Sequence, residues 1–400
     1  MNTPPLPAPA NRVGAAFPGA ARWRGWLGTL LPSVGAIVVA LLLGAVLILI
    51  SGDNVITAYS ALFRGAFGGS RPLAETLVAA TPLILGGLAF AIAARAGMFN
   101  IGIEGQMILG GISAALVGSL ALGVPAVIHL PLALVAAAVG GGLWGALPGA
   151  LKAWSGAHEV ITTIMLNYLA YRLSSWVIRS DHLFNVNAGF QATNPTAPAA
   201  RLPRLLDGTR LHAGIIVAIV AAAVLWYLLF RTTLGYKVRT VGASRGAAAY
   251  GGISWGRTIT IAMLASGLLA GLAGAGEALG LQGRYYNQPS GYGFTAIAVG
   301  LVGRNHPWGV VLAGLLFGAL SSGATEMQNS AGTSREIVEV LQGLVILSVA
   351  ALAAIGYLRS GRWSWRKARA SRSMRTVDED RASAIGMEPE VETRPGPPRV

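Results

Sequence analysis

Three groups of polar residues interrupt stretches otherwise built from Ala, Val, Leu, Ile and Gly, and chemistry in this chain has to be sought there. The first is Asn100, Glu104 and Gln106 in Met98-Phe-Asn-Ile-Gly-Ile-Glu-Gly-Gln-Met107, where Gly102 and Gly105 lower helix propensity. The second lies on 159–178: at 100° per residue, Glu159, Thr163, Asn167, Tyr171 and Ser174 share an arc of about 120°. The third, Gly291-Tyr292-Gly-Phe-Thr295, opens a short Gly-rich apolar run that ends at 302. Polar side chains are costly in lipid and usually face a bundle interior or a water-filled cavity. A water-lined path for a neutral polar solute needs such groups, and the Asn167 amide supplies both donors and acceptors. The competing role is hydrogen bonding between helices, worth about 0.6 kcal/mol each. That role is preferred for Thr163 and Ser174, and both roles stay open for Asn167. Glu104 has a second role of its own, holding the 98–106 turn by accepting backbone hydrogen bonds. Glu277 reads as an anchor at the membrane interface.

Catalytic constellations are missing. No GxxxxGK[ST] phosphate loop occurs, so the chain does not hydrolyse ATP by that route on its own. His158-Glu159 begins like a zinc-protease helix, but Thr162 stands where the second His is required. Gly274, Gly276 and Gly280 form GxGxxxG inside an apolar run with no strand before it, which reads as helix packing. Gly267, Gly271 and Gly274 form a small-residue face of the same kind. With no Cys there is no disulfide, thiol chemistry or Cys-ligated metal, and the five His are scattered without ligand spacing. Neither an enzyme nor a resident cofactor or metal is expected.

The elements that position these groups are apolar spans. Of 400 residues, 54% are apolar and 12% charged, half the charged fraction of a soluble domain. The 54 glycines also exceed the usual share and suit close helix packing in a membrane. A crossing takes ~20 apolar residues. The candidates are 30–50, 75–94, 101–120, 130–151, 159–178, 212–230, 258–281, 307–324 and 336–357, with 292–302 as a short tenth. The expected fold is all-α and polytopic, with about ten transmembrane helices. Spans 2–5 and 7–10 are expected to form an inverted repeat, in which 98–106 corresponds to 282–295. Paired Gly-broken segments of that kind point to a transporter pathway.

Basic residues orient the spans. With ten crossings and an inner N-terminus, 21 of the 30 Lys and Arg fall inside and eight outside, four of the eight in one long loop, 179–211. Both termini are then cytoplasmic. Residues 1–29 read as a cytosolic leader, 30–357 as the membrane domain and 358–400 as a disordered cytosolic tail. Residues 231–257 are the long basic inner loop. The net charge of +14 is explained by anionic lipid and orientation. No stripe of Arg and aromatics suggests nucleic acid.

Four stretches, in order, resemble one family. Phe99-Asn-Ile-Gly-Ile-Glu-Gly-Gln106, Glu159-Val-Ile-Thr-Thr-Ile-Met-Leu-Asn167, Val241–Ile253 and Tyr292-Gly-Phe-Thr-Ala-Ile-Ala-Val-Gly-Leu-Val-Gly-Arg-Asn-His-Pro307 are similar to permease subunits of bacterial ABC importers. That family serves branched-chain amino acids, ribose-type sugars and nucleosides, and the motifs resemble its nucleoside and simple-sugar branch. The resemblance spans about 75–357. It departs at Ser244 and Arg245, where the family usually has Asn and often Pro. It implies an assembly of two permeases, two cytosolic ATP-binding cassette subunits that use the ATP, and an extracytoplasmic substrate-binding lipoprotein, embedded in membrane lipid. The second permease is expected to be non-identical. It also implies that 231–257, with Gly242, Arg245, Tyr250 and Gly252, docks on the ATPase, and that transport proceeds by alternating access. A self-sufficient secondary transporter is the alternative; its coupling carboxylates would sit near the midplane, whereas Glu104, Glu159 and Glu277 read as lying towards span ends. A membrane-embedded enzyme or assembly factor is a third possibility, without a catalytic constellation to support it.

Overall fold

Helices make up this chain because its apolar runs are long and its breakers are spaced to end them. The computed structural model describes residues 35, 37–179, 191–287, 291–334, 336–348 and 351. The leader, the tail, and the outer parts of 30–50 and 336–357 lie outside these residues. The helices are α1 (Ile37–Ile50), α2 (Val55–Phe67), α3 (Ser70–Arg95), α4 (Ile103–Ser119), α5 (Ala126–Ser155), α6 (Glu159–Ile178), α7 (Gly214–Arg231), α8 (Thr233–Ala243), α9 (Arg245–Tyr250), α10 (Trp255–Ala275), α11 (Tyr292–Val302) and α12 (Pro307–Ala331), followed by α13 (336–348). A π-turn, Gly276–Leu281, extends α10. Among the described residues β structure is limited to two isolated bridges, Ala192 with Tyr286 and Arg204 with His212.

Among the described residues, five helices are long and apolar enough to cross a membrane: α3, α5, α7, α10 with its π-turn, and α12. Large apolar side chains stand exposed along them, including Val127, Val135 and Leu143 on α5 and Ile216, Val220 and Val224 on α7. Such bands far exceed what a soluble surface carries. The chain is a multi-pass membrane protein.

In lipid, burial of apolar surface gives helices no reason to associate, so close contact and hydrogen bonds must hold them. Small residues provide the contact. α5 lies along α10, and α3 along α12. A Cβ on Gly141 would come 2.5 Å from the Gly267 carbonyl oxygen, and one on Gly145 2.6 Å from that of Met263. Gly110 on α4 meets Gly271 backbone to backbone, and Gly274 meets Met107 and Gly111. The small-residue face of α10 therefore seats two helices at once.

Two helices stop half-way. α11 has 11 residues, about 16 Å at 1.5 Å each, against ~30 Å of hydrocarbon. Its Ala296 abuts Gly86 and its Gly300 abuts Phe90, so it starts beside the middle of α3 and runs towards Arg95. α4 starts at the same level, with Ile103 beside Gly86, and runs the other way until Gly118 meets Leu279.

The two ends of the bundle are built differently. At one, Arg95 Nε donates to Asn305 O at 2.9 Å, the Arg239 guanidinium lies 5.3 Å from the Phe230 ring centre, and Met98, Val241, Ala248, Ile259 and Met263 form an apolar cluster. The inner loop expected at 231–257 is two helices there, α8 and α9, because Thr232 and Ser244 cap them by accepting from Gly235 N and Ala247 N. At the other end, 191–213 is stitched across the helices. Ala197 N donates to Gly118 O at 2.7 Å and Leu202 N to Leu279 O at 3.1 Å. α2, inside the link expected between the first two spans, is capped by Asn54 Oδ1, which accepts from Ile56 N and Thr57 N.

Candidate translocation site

The chain turns back after α3 at Gly97, whose φ of +77° is the left-handed region that glycine favours. Residues 98–102 then return to the middle of the bundle. There Asn100, fully buried, organises an amide network. Its Nδ2 donates to Gln106 Oε1 at 3.1 Å and to Ser266 Oγ at 2.8 Å. Its Oδ1 accepts from Gly102 N at 2.9 Å, and Ser266 Oγ donates to Ala89 O at 2.6 Å. Asn100 ties the returning chain to α4 and α10, and Ser266 carries the link on to α3. A buried network of this kind fixes geometry only because its members are satisfied.

Glu104 joins the two half-way helices. Its Oε1 accepts from Gly291 N at 3.1 Å and its Oε2 from Gly293 N at 2.7 Å. The first amides of α11 lack partners within the helix, and a carboxylate there also complements the positive end of the helix dipole. Gly293 has to be glycine, since a Cβ would run into the Glu104 backbone and carboxylate.

The polar stripe of α6 faces α4. Asn167 Oδ1 accepts from Gly105 N at 2.8 Å and its Nδ2 donates to Ile101 O at 2.9 Å. Thr163 Oγ1 donates back to Glu159 O at 2.7 Å. Ser174 Oγ donates to Asn287 Oδ1 at 2.6 Å. Glu159, at the far end of the stripe, pairs with Lys152 of α5. Asn167, Ser174 and Glu159 are spent on joining α6 to its neighbours, and Thr163 on its own helix.

Two cavities flank the start of α11, and Tyr292 lines both. One, of about 790 Å³, is bounded by Met107 and Ile108 of α4, Glu277 of the π-turn, and Gln191, Gln282, Arg284, Tyr285, Tyr286 and Asn287. The other, of about 480 Å³, is bounded by Thr295, Leu83, Phe317, Ser321, Glu339 and Gln342 among others. Asn287 is held by Ser174, Ser175 and Gln191. Near this end, the Arg210 guanidinium is raised by its hydrogen bonds to Glu75, the closest at 2.5 Å, against the opposing effect of burial.

Of the residues singled out by sequence, Asn100, Glu104, Gln106, Thr163 and Asn167 come together around the start of α4, and Tyr292 and Thr295 line the cavities. Glu159 stands apart. Glu104 lies half-way along the bundle rather than near a face, because the chain re-enters before α4 begins. Glu277, on the π-turn, lines the larger cavity. Ser266, Tyr285 and Asn287 were missed. A serine in mid-span was the available signal for the first; the other two follow a Gly-rich turn whose return path has no periodicity to read.

At the Arg95 end, Gly242 packs against the Arg95–Gly97 turn, the Arg245 guanidinium lies 4.2 Å from the Trp255 ring centre, Tyr250 is exposed, and Gly252 turns the chain with a φ of +68°.

Residues 73–350 match the family model described as "Branched-chain amino acid transport system / permease component". The chain is 42% identical over 341 residues to the guanosine ABC transporter permease protein NupP of Bacillus subtilis, covering 83% of this chain and 96% of that one. It is 38% identical over 324 residues to the nucleoside ABC transporter permease protein NupB of Lactococcus lactis subsp. cremoris (79% and 89%). With the glucose ABC transporter permease protein TsgB13 of Haloferax volcanii it shares 35% over 333 residues (80% and 87%). Bacillus subtilis also carries a second guanosine permease, NupQ, 31% identical over 257 residues (62% and 79%). No solved structure matches the chain.

Proposed function

The chain belongs to the branched-chain amino acid transport system permease family and is the permease of an ABC importer, and from that premise we propose that it carries nucleosides, or simple sugars related to their ribose, through the region where α4 and α11 begin. The observation that carries this reading is the Glu104 bridge. Two interrupted helices starting in mid-bundle, joined tip to tip and flanked by polar cavities, are how transporters place a cargo site at the midplane. Tyr292 and Thr295 line the path. Asn100, Gln106, Thr163 and Asn167 frame it, and Glu104 couples its two halves.

The inverted repeat then pairs α3–α6 with α10–α13. In support, α3 packs on α12 as α10 packs on α5, and α11 on α3 as α4 on α10. Ten crossings, with α11 and its return segment as one, leave both termini in the cytoplasm. The Arg95 end faces the cytoplasm, since it gathers Lys152, Arg231, Lys237, Arg239, Arg245, Arg257 and Arg304. There α8 and α9 dock on two ATP-binding cassette subunits, which hydrolyse the ATP; the permease needs no cofactor of its own. A non-identical second permease completes the pair, as the two guanosine permeases of Bacillus subtilis suggest. An extracytoplasmic lipoprotein delivers cargo to the opposite end.

The test is reconstitution of the two permeases, the ATPase and the receptor in proteoliposomes. ATP-dependent uptake of labelled guanosine, uridine or ribose is expected. Uptake of none of them, with ATPase activity intact, removes the cargo assignment. Uptake driven by an ion gradient without the ATPase removes the importer mechanism.

A further inference from the structure

We infer that the larger cavity is where the permease itself reads its cargo, and that Glu277 does so by accepting hydrogen bonds from both hydroxyls of a vicinal diol on the sugar ring. The inference rests on the nucleoside and simple-sugar reading above and assigns a residue to it.

Three other carboxylates of the bundle are held by protein partners. Glu104 accepts two backbone amides, Glu75 holds Arg210, and Glu159 holds Lys152. Glu277 makes no side-chain hydrogen bond or ion pair among the described residues, although it lines the cavity. Arg210 is near enough to feel its charge but is committed to Glu75. The backbone presents Glu277 by design. α10 widens into a π-turn at Gly276–Leu281, closed by Gln282 N donating to Glu277 O at 2.9 Å. Single π-turns inside helices recur at functional sites.

In its ionised form Glu277 is an acceptor only, so the cavity that it lines then calls for a ligand rich in donors. Adjacent hydroxyls supply two in a geometry that both oxygens can take, and such charge-assisted bonds are short and strong. Tyr285, Tyr286 and Tyr292 line the same cavity and offer flat faces for a base or for the apolar face of a sugar ring. The diol is also what the named cargoes of the relatives share, since guanosine and glucose both carry one. Of the amides that line the cavity, Asn287 is already tied to Ser174, Ser175 and Gln191 and belongs to the wall with Gln191.

The experiment compares guanosine, 2′-deoxyguanosine and 2′,3′-dideoxyguanosine in the reconstituted importer, each at a concentration that saturates the receptor. A site built to bond a hydroxyl discriminates strongly against the analogue without it. Wild type should move guanosine at least about tenfold faster than the dideoxy analogue. Glu277→Gln keeps shape and one acceptor; it should slow guanosine about tenfold, leave the dideoxy analogue within about twofold, and so collapse the ratio. Glu277→Asp should restore part of it. Thermal melting and co-purification with the ATP-binding subunits should stay at wild-type values in both variants. An unchanged ratio in Glu277→Gln overturns the inference, as does an equal loss for all three nucleosides. A ratio that instead follows the base, shown by inosine and adenosine separating while the deoxy series does not, assigns Glu277 to the base edge and overturns the diol. A wild-type importer that moves neither nucleosides nor sugars overturns the cargo reading, and the diol falls with it.

Discussion

The Glu104 carboxylate and the Gly293 amide, 189 positions apart in the chain, meet in a 2.7 Å hydrogen bond. It is made between the first turns of two helices that begin in mid-bundle and run to opposite ends. Its partner bond, from Gly291 N to the other carboxylate oxygen, means that each oxygen has its own donor. Glu104→Gln retains one acceptor and turns an NH₂ towards an N–H. One charge-assisted bond is lost and a buried donor is left unpaired, a cost of about 1.5–3 kcal/mol. Thermal denaturation of the purified permease pair should show it as a clear drop in melting temperature, accompanied by slower transport. A variant as stable as wild type would mean that the bridge does not hold the half-helices.

Close contact between α5 and α10 predicts a sharp contrast between two glycines. Gly267→Ala would drive a methyl into the Gly141 carbonyl, and backbone against backbone cannot yield by a rotamer change. Overpacking costs about 1–3 kcal/mol or forces the helices apart. Gly246→Ala, in α9 with open space around it, should be neutral or stabilise by up to ~1 kcal/mol through helix propensity. Membrane-inserted yield and melting temperature of the two variants are the readout. Equal tolerance would refute the packing account.

The helices were largely legible, because a hydrophobic run of some twenty residues has few alternatives. The Gly face of α10 was legible too: small residues at Gly267, Gly271 and Gly274 have one physical use in lipid. What escaped was depth. Residues 98–102 re-enter the bundle through Gly97, so Glu104, close to the end of a span in the sequence, ends up in its middle. The same effect hid Glu277: an α-helical wheel assigns it a face, but the π-turn adds a residue and rotates that face towards the cavity. α8 and α9 were missed as helices because their caps, Thr232 and Ser244, are single polar residues in an Ala- and Gly-rich stretch.

Asn167 discriminates between a path residue and a strut. Both its amide groups are used, on Gly105 N and Ile101 O. Asn167→Asp keeps the acceptor but sets a second oxygen against the Ile101 carbonyl; Asn167→Leu leaves both backbone groups without this partner. Each should lower the melting temperature, Leu by the equivalent of about 1–3 kcal/mol. A Cys at 167 should stay inaccessible to a polar thiol reagent in the nucleotide-free state. Ready labelling there, with unchanged stability in both variants, would move Asn167 to the water-lined surface.

Sidedness can be read from a chain with no natural Cys. The Arg95–Asn305 bond puts the end of α3 and the α11–α12 turn at one end of the bundle, together with α8 and α9. Tyr250 and Arg304 should therefore be reached from the same compartment. The 191–213 segment caps the opposite end, and Leu206 is exposed there. Basic residues accumulate on the cytoplasmic side of membrane proteins, and the Arg95 end carries the larger share. Single Cys at 250 and at 304 should be blocked by an impermeant reagent only in inverted vesicles, and a single Cys at 206 only in intact cells. Tyr250 is 98% exposed, so its substitution leaves the fold unchanged; a Cys there should also be shielded once the ATP-binding subunits are present. Labelling of 250 and 304 from opposite sides would contradict the placement of α11 as one half-helix completing a crossing with its return segment. Labelling of both from outside would invert the whole assignment and remove α8 and α9 from any contact with a cytoplasmic ATPase.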